Sequence, residues 1–266
     1  SDVCSSDLMT ALDFKRRRLL AALAAGGGAM TLAGCDRIAA TTVGARTLGA
    51  GESLTATVHR WLAAGTLAQE FTEADLSPEF RANGTELPDD PAWQAHARTG
   101  FAHWSLQVTG LVQRPTTFTL AELHAMPART QITRHDCVEG WSAIGKWTGV
   151  PLAQVLARVA PQPQARYAVF HCADTMPGGL TRERYYESIG MDDALHPQTL
   201  LAYGLNGADL PIKNGAPIRL RVERQLGYKQ AKFVQKIELV ASLSGIGRGK
   251  GGYWEDNDGY QWYAGV

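Results

Sequence analysis

The sequence predicts a mixed α+β fold, and three observations support this prediction. Short strand patterns are mixed with a few short helical patterns, no regular strand–helix alternation is present, and no segment repeats along the chain. A regular alternation would indicate a parallel α/β sheet, so its absence favours α+β. The 266 residues, 45% hydrophobic and 20% charged, are enough for a leader and one domain of roughly 200 residues.

The first predicted elements follow from apolar spacing. Residues 106–112 alternate like a strand, and residues 119–126 follow as a short helix with Thr119 as its N-cap. Residues 131–133 form the next strand. Residues 150–159 form an apolar-periodic helix whose start contains a proline, a residue favoured in the first helical turn.

Three further strands are predicted in the second half of the chain. They cover residues 167–170, 218–222 and 233–239, and the proline- and glycine-rich residues 211–217 form a turn before the second of them. An Asn-Gly pair at residues 83–84 indicates another turn.

The chain divides into three predicted regions. Residues 1–34 contain an extension ahead of Met9, the natural initiator, and then an export signal. Residues 35–75 form a tether with a short helix around residues 58–67. Residues 76–266 form the folded domain.

The export signal is predicted from a basic cluster that precedes an apolar run. Lys15, Arg16, Arg17 and Arg18 are followed by the 14 apolar residues 19–32. As a helix these would span about 21 Å, less than the roughly 30 Å of a bilayer core, so a cleaved signal is favoured over a membrane span.

The details of that leader indicate where the protein resides. Adjacent arginines are typical of a twin-arginine signal. Leu32-Ala33-Gly34-Cys35 resembles a lipobox, and it predicts a lipid anchor through Cys35 on the periplasmic side of the inner membrane. The alternative is an ordinary apolar leader and a protein that is soluble in the periplasm.

Charge excludes one class of partner. The formal net charge is zero, and residues 35–266 carry 22 basic and 23 acidic side chains once Lys15, Arg16, Arg17, Arg18, Asp2, Asp7 and Asp13 are set aside. A nucleic acid bound through bulk charge is therefore not expected.

Cysteine usage leaves two thiols in the folded part. Cys4 precedes Met9 and Cys35 is assigned to the lipid, so Cys137 and Cys172 remain. In an exported protein these two can form a disulfide, unless Cys137 binds a metal.

Cys137 lies in a dense cluster of reactive residue types: Ile132-Thr133-Arg134-His135-Asp136-Cys137-Val138-Glu139-Gly140-Trp141. A thiolate can bind a metal or act as a nucleophile, and we expect the positive charges of Arg134 and His135 to lower the pKa of Cys137. Together with Trp147-Thr148-Gly149-Val150-Pro151-Leu152, this stretch resembles the molybdenum-ligand segment of the sulfite oxidase family of molybdopterin enzymes.

The resemblance implies a sulfite-oxidase-type molybdopterin-binding domain in which Cys137 is the metal ligand. It implies catalytic roles for Glu139 and Arg134, which flank the metal and relay protons or orient the substrate. A structural salt bridge between these two side chains is the alternative. Family members often add a C-terminal immunoglobulin-like domain, which we do not expect here, so a monomer is predicted.

Four other segments carry the resemblance and its implied cofactor contacts. They contribute Asn83, Cys172, Asn214, Arg219, Gln230, Ala231 and Lys232. Family members that reduce methionine sulfoxide have a threonine where Cys172 stands, and Cys172 can instead be an inert core residue. Arg219 suits a phosphate because its guanidinium can fork onto two oxygens, and Asn214 suits the pterin edge. Lys232 is the preferred phosphate partner, followed by Lys229.

The implied cofactor is molybdenum-molybdopterin, with the nucleotide form of the pterin left open. The implied reaction is a two-electron oxygen-atom transfer on a small or protein-bound oxo-substrate, such as a sulfoxide or sulfite. The sequence has no Cys-x-x-Cys-His haem site and no iron–sulfur cysteine set, so a cytochrome or membrane haem subunit is the expected electron partner. The aromatic tail around Tyr253, Trp254 and Trp262 covers the site, meets this partner or packs on the domain.

Three other functions compete with this interpretation. His135, Cys137, His171 and Cys172 are residue types that bind zinc. Cys137 and Cys172 are also the two thiols that a thiol–disulfide oxidoreductase would need, although the Cys-x-x-Cys arrangement is absent. A non-catalytic molybdopterin carrier would keep Asn214, Arg219 and Lys232.

Overall fold

The computed structural model describes residues 41–43, 51, 54–55, 57–58, 65–176 and 183–266. The predicted export signal and Cys35 lie outside these residues. A compact unit extends from Ala63 to Val266. It includes part of the predicted tether, since Glu70 pairs with Thr133 as an isolated bridge.

Ten strands are present in the described part of the chain. They are β1 Ser105–Gly110, β2 Thr116–Thr119, β3 Arg129–Asp136, β4 Ser142–Pro151, β5 Tyr167–Met176, β6 Glu183–Gly190, β7 Leu200–Leu205, β8 Ala208–Asp209, β9 Arg219–Arg221 and β10 Val234–Val240. Five form a sheet in the order β2-β1-β10-β5-β6, in which β1 and β10 are parallel and the other pairs antiparallel. The second sheet has the order β3-β4-β7-β8, with β9 also paired to β7.

Five α-helices lie within residues 65–176 and 183–266. They are α1 Pro91–Arg98, α2 Leu120–Ala125, α3 Leu152–Val159, α4 Met191–Ala194 and α5 Tyr253–Asp258. None of the described helices is both long and apolar enough to cross a membrane.

Local sequence explains where these helices begin. The Asp90 carboxylate accepts a hydrogen bond from the Trp93 amide at 2.7 Å, and a proline follows Asp90 in the first turn of α1. The helix α2 begins with a capping box in which Thr119 and Glu122 satisfy each other's backbone amides. The predicted helix and its N-cap at Thr119 are thus confirmed.

The main core joins both sheets to α3. That helix buries Leu152, Val155, Leu156 and Val159, which share one face at helical spacing. They belong to one buried cluster with side chains from β1, β5 and β10 of the first sheet and from β4, β7 and β9 of the second. The predicted mixed α+β class is confirmed.

Candidate active site around Cys137

Cys137 is positioned by the β3–β4 hairpin. The last pair of the ladder is Asp136 with Ser142, and Cys137 is the first residue of the connecting loop. The Cys137 amide donates to the Trp141 carbonyl at 2.9 Å, and the Gly140 amide donates to the Cys137 carbonyl at 3.0 Å. Gly140 has a φ of +83°, which favours glycine. The loop is therefore closed at both ends, which fixes the backbone that carries the thiol.

The Cys137 thiol lies in the wall of a cavity of about 190 Å³. The cavity is lined by Asn83, Gly84, Thr85, Cys137, Val138, Glu139, Asp174, Met176, Tyr185, Gly227, Tyr228, Gln230, Lys232, Trp254 and Tyr260. The structure therefore brings together Asn83, Cys137, Glu139, Gln230 and Lys232 from the predicted site. It does not bring Arg134, Cys172, Asn214, Arg219 or Ala231 to this wall.

The expected lowering of the Cys137 pKa by its neighbours is wrong. Burial raises the pKa of this thiol, and among nearby cations it is Arg219 that opposes the rise. The Arg134 side chain is 56% exposed and pairs with Asp136 at 3.0 Å. His135 is fully buried, and desolvation followed by the charge of Arg221 holds its pKa well below the usual value, so the ring is neutral.

His135 supports the hairpin from inside the protein. The Arg221 guanidinium donates to His135 Nδ1 at 3.0 Å and forms two hydrogen bonds with the Glu223 carboxylate at 2.5 and 3.0 Å. The ring also lies against Gly227 of the cavity wall, where a Cβ atom would come within 2.5 Å of His135 Nε2. Glycine is therefore required at this position for the wall to reach the histidine.

Glu139 and Arg134 do not pair with each other in the structure. The Trp141 indole donates to Glu139 Oε2 at 2.9 Å, and this holds an exposed carboxylate at the cavity. Arg134 pairs with Asp136, and the proposed Arg134–Glu139 salt bridge is not formed. Glu139 therefore stands at the cavity, whereas Arg134 does not line it and a catalytic role for Arg134 is not supported.

Lys232 joins the cavity to the loop of Asn83. Its ammonium donates to the carbonyls of Asn83 at 2.5 Å and of Lys213 at 3.0 Å, and also to that of Thr85. Burial and the nearby charge of Arg219 lower the Lys232 pKa to about 7. Lys232 thus places a cation in the wall and fixes Asn83, which is half-buried there.

Arg219 does not present its guanidinium to a phosphate. It is completely buried and donates to the carbonyls of Asn214 and Gln230, both at 3.0 Å. Burial, followed by the charge of Arg221, lowers the Arg219 pKa to about 9. The structure therefore does not support the prediction that Arg219 binds a phosphate in bidentate fashion. Arg219 ties the Asn214 turn to the segment that carries Gln230.

The segment Gln230–Lys232 and its surroundings contain polar atoms that lack partners. Asp174 Oδ1 and Asn214 Nδ2 are buried without a hydrogen-bond partner among the described residues, and the Gln230 amide lies beside the His135 ring. Burial raises the Asp174 pKa to about 6. Ala231 is buried and its carbonyl accepts from the Leu220 amide at 2.8 Å, so it faces the core rather than the cavity.

Cys172 is a core residue. It is 2% exposed, belongs to the main hydrophobic cluster, and burial raises its pKa well above the usual value. It borders a different cavity, of about 520 Å³, together with Trp93 and His171. Its predicted contact with the cofactor is therefore not supported.

The described residues do not support the zinc alternative, and the two thiols line different cavities. Cys137 and Cys172 are both free thiols. No group of three or more His, Cys, Asp or Glu side chains in this part of the chain is arranged to hold a metal, so the predicted zinc set does not assemble.

Several cavity residues were missed from the sequence. Asp174 and Met176 lie on β5, Tyr185 lies on β6, and Trp254 and Tyr260 come from the C-terminal tail. The tail was identified as aromatic, and one of its three predicted roles was to cover the site. No pattern connected β6 to the site.

Lys229 is not a phosphate partner either. Its ammonium is fully buried between the carboxylates of Glu187 and Glu255, the latter at 2.6 Å. We call these three residues the buried ion triad. It connects β6 and α5 to the short 3₁₀ turn Gly227–Lys229 beside the cavity.

Comparisons with known proteins identify the class to which this fold and cavity belong. Residues 94–245 match the family model described as "oxidoreductase molybdopterin binding domain". The chain belongs to this family and is an oxidoreductase. The family match decides against the non-catalytic carrier.

The chain is similar to two methionine-sulfoxide reductase subunits and, more distantly, to one solved structure. The chain is 42% identical over 199 residues to a putative protein-methionine-sulfoxide reductase subunit of Azospira oryzae, covering 75% of this chain and 68% of the relative. It is 38% identical over 237 residues to the protein-methionine-sulfoxide reductase catalytic subunit of Ralstonia nicotianae, covering 85% and 69%. The sulfane dehydrogenase SoxCD from Paracoccus pantotrophus aligns with a TM-score of 0.47 at 23% identity, covering 53% of this chain and 39% of that chain.

The residues around the cavity fit a molybdopterin. The unpartnered acceptor Asp174 Oδ1 and the Gln230 amide, which also lines the cavity, suit the amino and ring N–H groups of a pterin. Lys232 supplies positive charge for its anionic end. Cys137 contributes a sulfur donor of the soft type that suits a metal already bound by sulfur.

Proposed function

We propose that this chain is the catalytic part of an exported sulfoxide reductase. The reaction is the two-electron reduction of a sulfoxide, R₂SO + 2e⁻ + 2H⁺ → R₂S + H₂O. The observation that carries the proposal is the placement of Cys137 in a cavity with Lys232 and the unpartnered acceptor of Asp174, within an oxidoreductase domain. The relatives named for methionine-sulfoxide reduction favour this substrate class over sulfite.

The proposed cofactor is molybdenum-molybdopterin, which supplies two-electron oxygen-atom chemistry when bound. Cys137 would hold the metal and lose its thiol proton on binding it. Asp174 and Gln230 would accept hydrogen bonds from the pterin, and Lys232 would attract its phosphate. Arg219 would act indirectly, because it fixes the main chain on either side of Gln230.

Glu139 is the group proposed to supply protons to the substrate oxygen. Its carboxylate borders the cavity, is exposed to water, and is oriented by the Trp141 indole at 2.9 Å. A water-exposed carboxylate can be reprotonated from solvent after each transfer, which two protons per turnover require.

The electron supply and location remain part of the proposal. A haem partner would deliver the electrons, because the sequence contains no haem or iron–sulfur motif of its own. The basic cluster, the apolar run and Cys35 support export and a lipid anchor on the periplasmic side of the inner membrane.

Turnover by protein produced in a host that makes the cofactor tests the proposal. Reduced viologen serves as electron donor and methionine sulfoxide as acceptor, and an artificial electron acceptor with sulfite measures the reverse type of reaction. We expect sulfoxide-dependent viologen oxidation that is lost in Cys137→Ala and retained in Cys172→Ala. Absence of sulfoxide turnover by the molybdenum-loaded wild type, or an active Cys137→Ala variant, would overturn the proposal.

A further inference from the structure

The C-terminal segment contributes two aromatic side chains to the cavity that contains Cys137. Trp254 lies on α5 and Tyr260 follows it, and both line the cavity. Their rings are stacked, with centroids 5.8 Å apart and an interplanar angle of 24°. The Tyr228 ring meets that of Tyr260 edge-on at 5.0 Å. These three rings form a continuous surface, which we call the aromatic wall.

The aromatic wall continues into other apolar side chains of the cavity. Met176 and Val138 also line it, and Val138 directly follows Cys137 in the chain. Val138 is 44% exposed and Tyr260 is 37% exposed, which is high for large apolar side chains. The cavity therefore has a partly exposed apolar rim next to the thiol.

The aromatic wall is held in place by the buried carboxylates of the two residues that follow Trp254. Glu255, the next residue, binds Lys229 within the buried ion triad, and Lys229 is itself the neighbour of Tyr228. Asp256 accepts hydrogen bonds from the Tyr186 hydroxyl and from the amides of Arg248 and Lys250 at 2.9 Å. The rings are thus fixed before any substrate binds, which lowers the entropy cost of binding.

The chemistry of this wall matches one kind of oxo-substrate. A dialkyl sulfoxide has a polar S–O end and two apolar substituents, whereas sulfite is a hydrated inorganic anion. The faces of aromatic rings contact alkyl groups and sulfur favourably and carry no positive charge for an oxyanion.

We infer that Trp254 and Tyr260 are specificity-determining residues that receive the apolar substituents of a sulfoxide. This inference rests on the proposed function and adds to it the residues that select the substrate. The exposed rim at Val138 and Tyr260 admits a substituent that extends out of the cavity, as a methionine sulfoxide within a polypeptide does. Selection for alkyl and aryl sulfoxides over inorganic oxyanions therefore resides in the C-terminal segment.

Paired substrates and paired variants test the inference. The molybdenum-loaded wild type, Trp254→Ala, Trp254→Phe and Tyr260→Ala are compared with methyl p-tolyl sulfoxide and with dimethyl sulfoxide. We expect Trp254→Ala and Tyr260→Ala to lower kcat/KM for the aryl substrate by about five- to tenfold, mainly through KM, and for dimethyl sulfoxide by less than about threefold. Trp254→Phe keeps a ring and restores most of the aryl preference.

The control is Tyr203→Ala. Tyr203 is also half-buried and stacks on His124 with ring centroids 4.0 Å apart, but it does not line the cavity. Equal substrate preference in Trp254→Ala, Tyr260→Ala and Tyr203→Ala overturns the aromatic wall as the determinant.

A binding measurement separates this inference from the proposed reaction. Calorimetric titration with the product, methyl p-tolyl sulfide, measures binding to the aromatic wall without any turnover. A dissociation constant raised about fivefold or more in Trp254→Ala supports the wall even when no sulfoxide is reduced, in which case the proposed reaction alone fails. If the wild type reduces sulfoxides but Trp254→Ala and Tyr260→Ala bind the sulfide as tightly as the wild type, the inference is wrong and the proposed reaction stands.

Discussion

Replacing Lys229 by methionine should destabilise the protein more than any exchange of a surface lysine. The Lys229 ammonium is fully buried and contacts the Oε1 atoms of Glu187 and Glu255, and the Oε2 atoms of these two carboxylates have no hydrogen-bond partner among the described residues. Its removal leaves two like charges in a dry interior. Breaking a buried pair in this way costs about 3–5 kcal/mol, a large fraction of the roughly 5–15 kcal/mol of a typical domain.

Urea unfolding of wild type and variant at equal cofactor loading measures this loss. The matched control is Lys236→Met, since Lys236 pairs with Glu238 at 2.8 Å while about a third of both side chains is exposed. Such a pair contributes less than about 1 kcal/mol. A Lys229→Met loss as small as that of the control would refute the reasoning.

A second substitution tests whether repulsion between the two carboxylates causes the loss of stability. Burial raises the pKa of Glu187, and Lys229 opposes this rise. Adding Glu187→Gln to Lys229→Met removes one of the two stranded charges, so it should recover part of the lost stability. If the double variant is less stable than Lys229→Met, charge repulsion is not the cause of the loss.

Three further predictions concern stability. Burial raises the Asp174 pKa from 3.8 to about 6, so between these pH values the folded protein retains a proton that the unfolded chain releases. The free energy of unfolding therefore falls as the pH rises through this window, by at most about 3 kcal/mol. Urea unfolding at several pH values should show this slope in the wild type and not in Asp174→Asn. Leu156→Ala empties a fully buried site and should cost about 2–5 kcal/mol in thermal unfolding. Gly252→Ala puts a Cβ atom 2.1 Å from Glu255 Oε2, so it should cost about 1–3 kcal/mol and speed amide exchange in α5; unchanged exchange would contradict this.

Elements with strong local signals were predictable from the sequence. The capping box of Thr119 and Glu122 and the buried spacing of α3 depend on residues a few positions apart. The strand before Cys137 was also predicted, although β3 extends to Arg129–Asp136. The helix α1 was missed although its signal was present, since Asp90 followed by a proline is typical of a helix start.

The thiol of the candidate site was predictable and its electrostatics were not. Cys137 stands in a distinctive motif, and the structure places it in the cavity. Its charged neighbours in sequence do not control it, because β-strand alternation sends Arg134 outward and His135 inward. The cation that opposes the burial-driven rise of its pKa, Arg219, is far along the chain and reaches it only through the fold.

Basic residues in the cofactor-binding segments show the same difficulty. Sequence alone cannot distinguish an arginine or lysine that binds a phosphate from one that binds buried protein oxygens. Arg219 donates to main-chain carbonyls, and the partners of Lys229 lie 42 and 26 positions away in sequence. No local pattern encodes these contacts.

The bond between Cys137 and molybdenum is the central claim, and X-ray absorption at the molybdenum edge tests it most directly. Wild type, Cys137→Ala and Cys172→Ala are purified from a host that makes the cofactor, and molybdenum content is measured on the same samples. We predict that the number of sulfur atoms bound to molybdenum falls by about one in Cys137→Ala and is unchanged in Cys172→Ala. An unchanged sulfur number in molybdenum-loaded Cys137→Ala, or a wild type that takes up no molybdenum, would contradict the account.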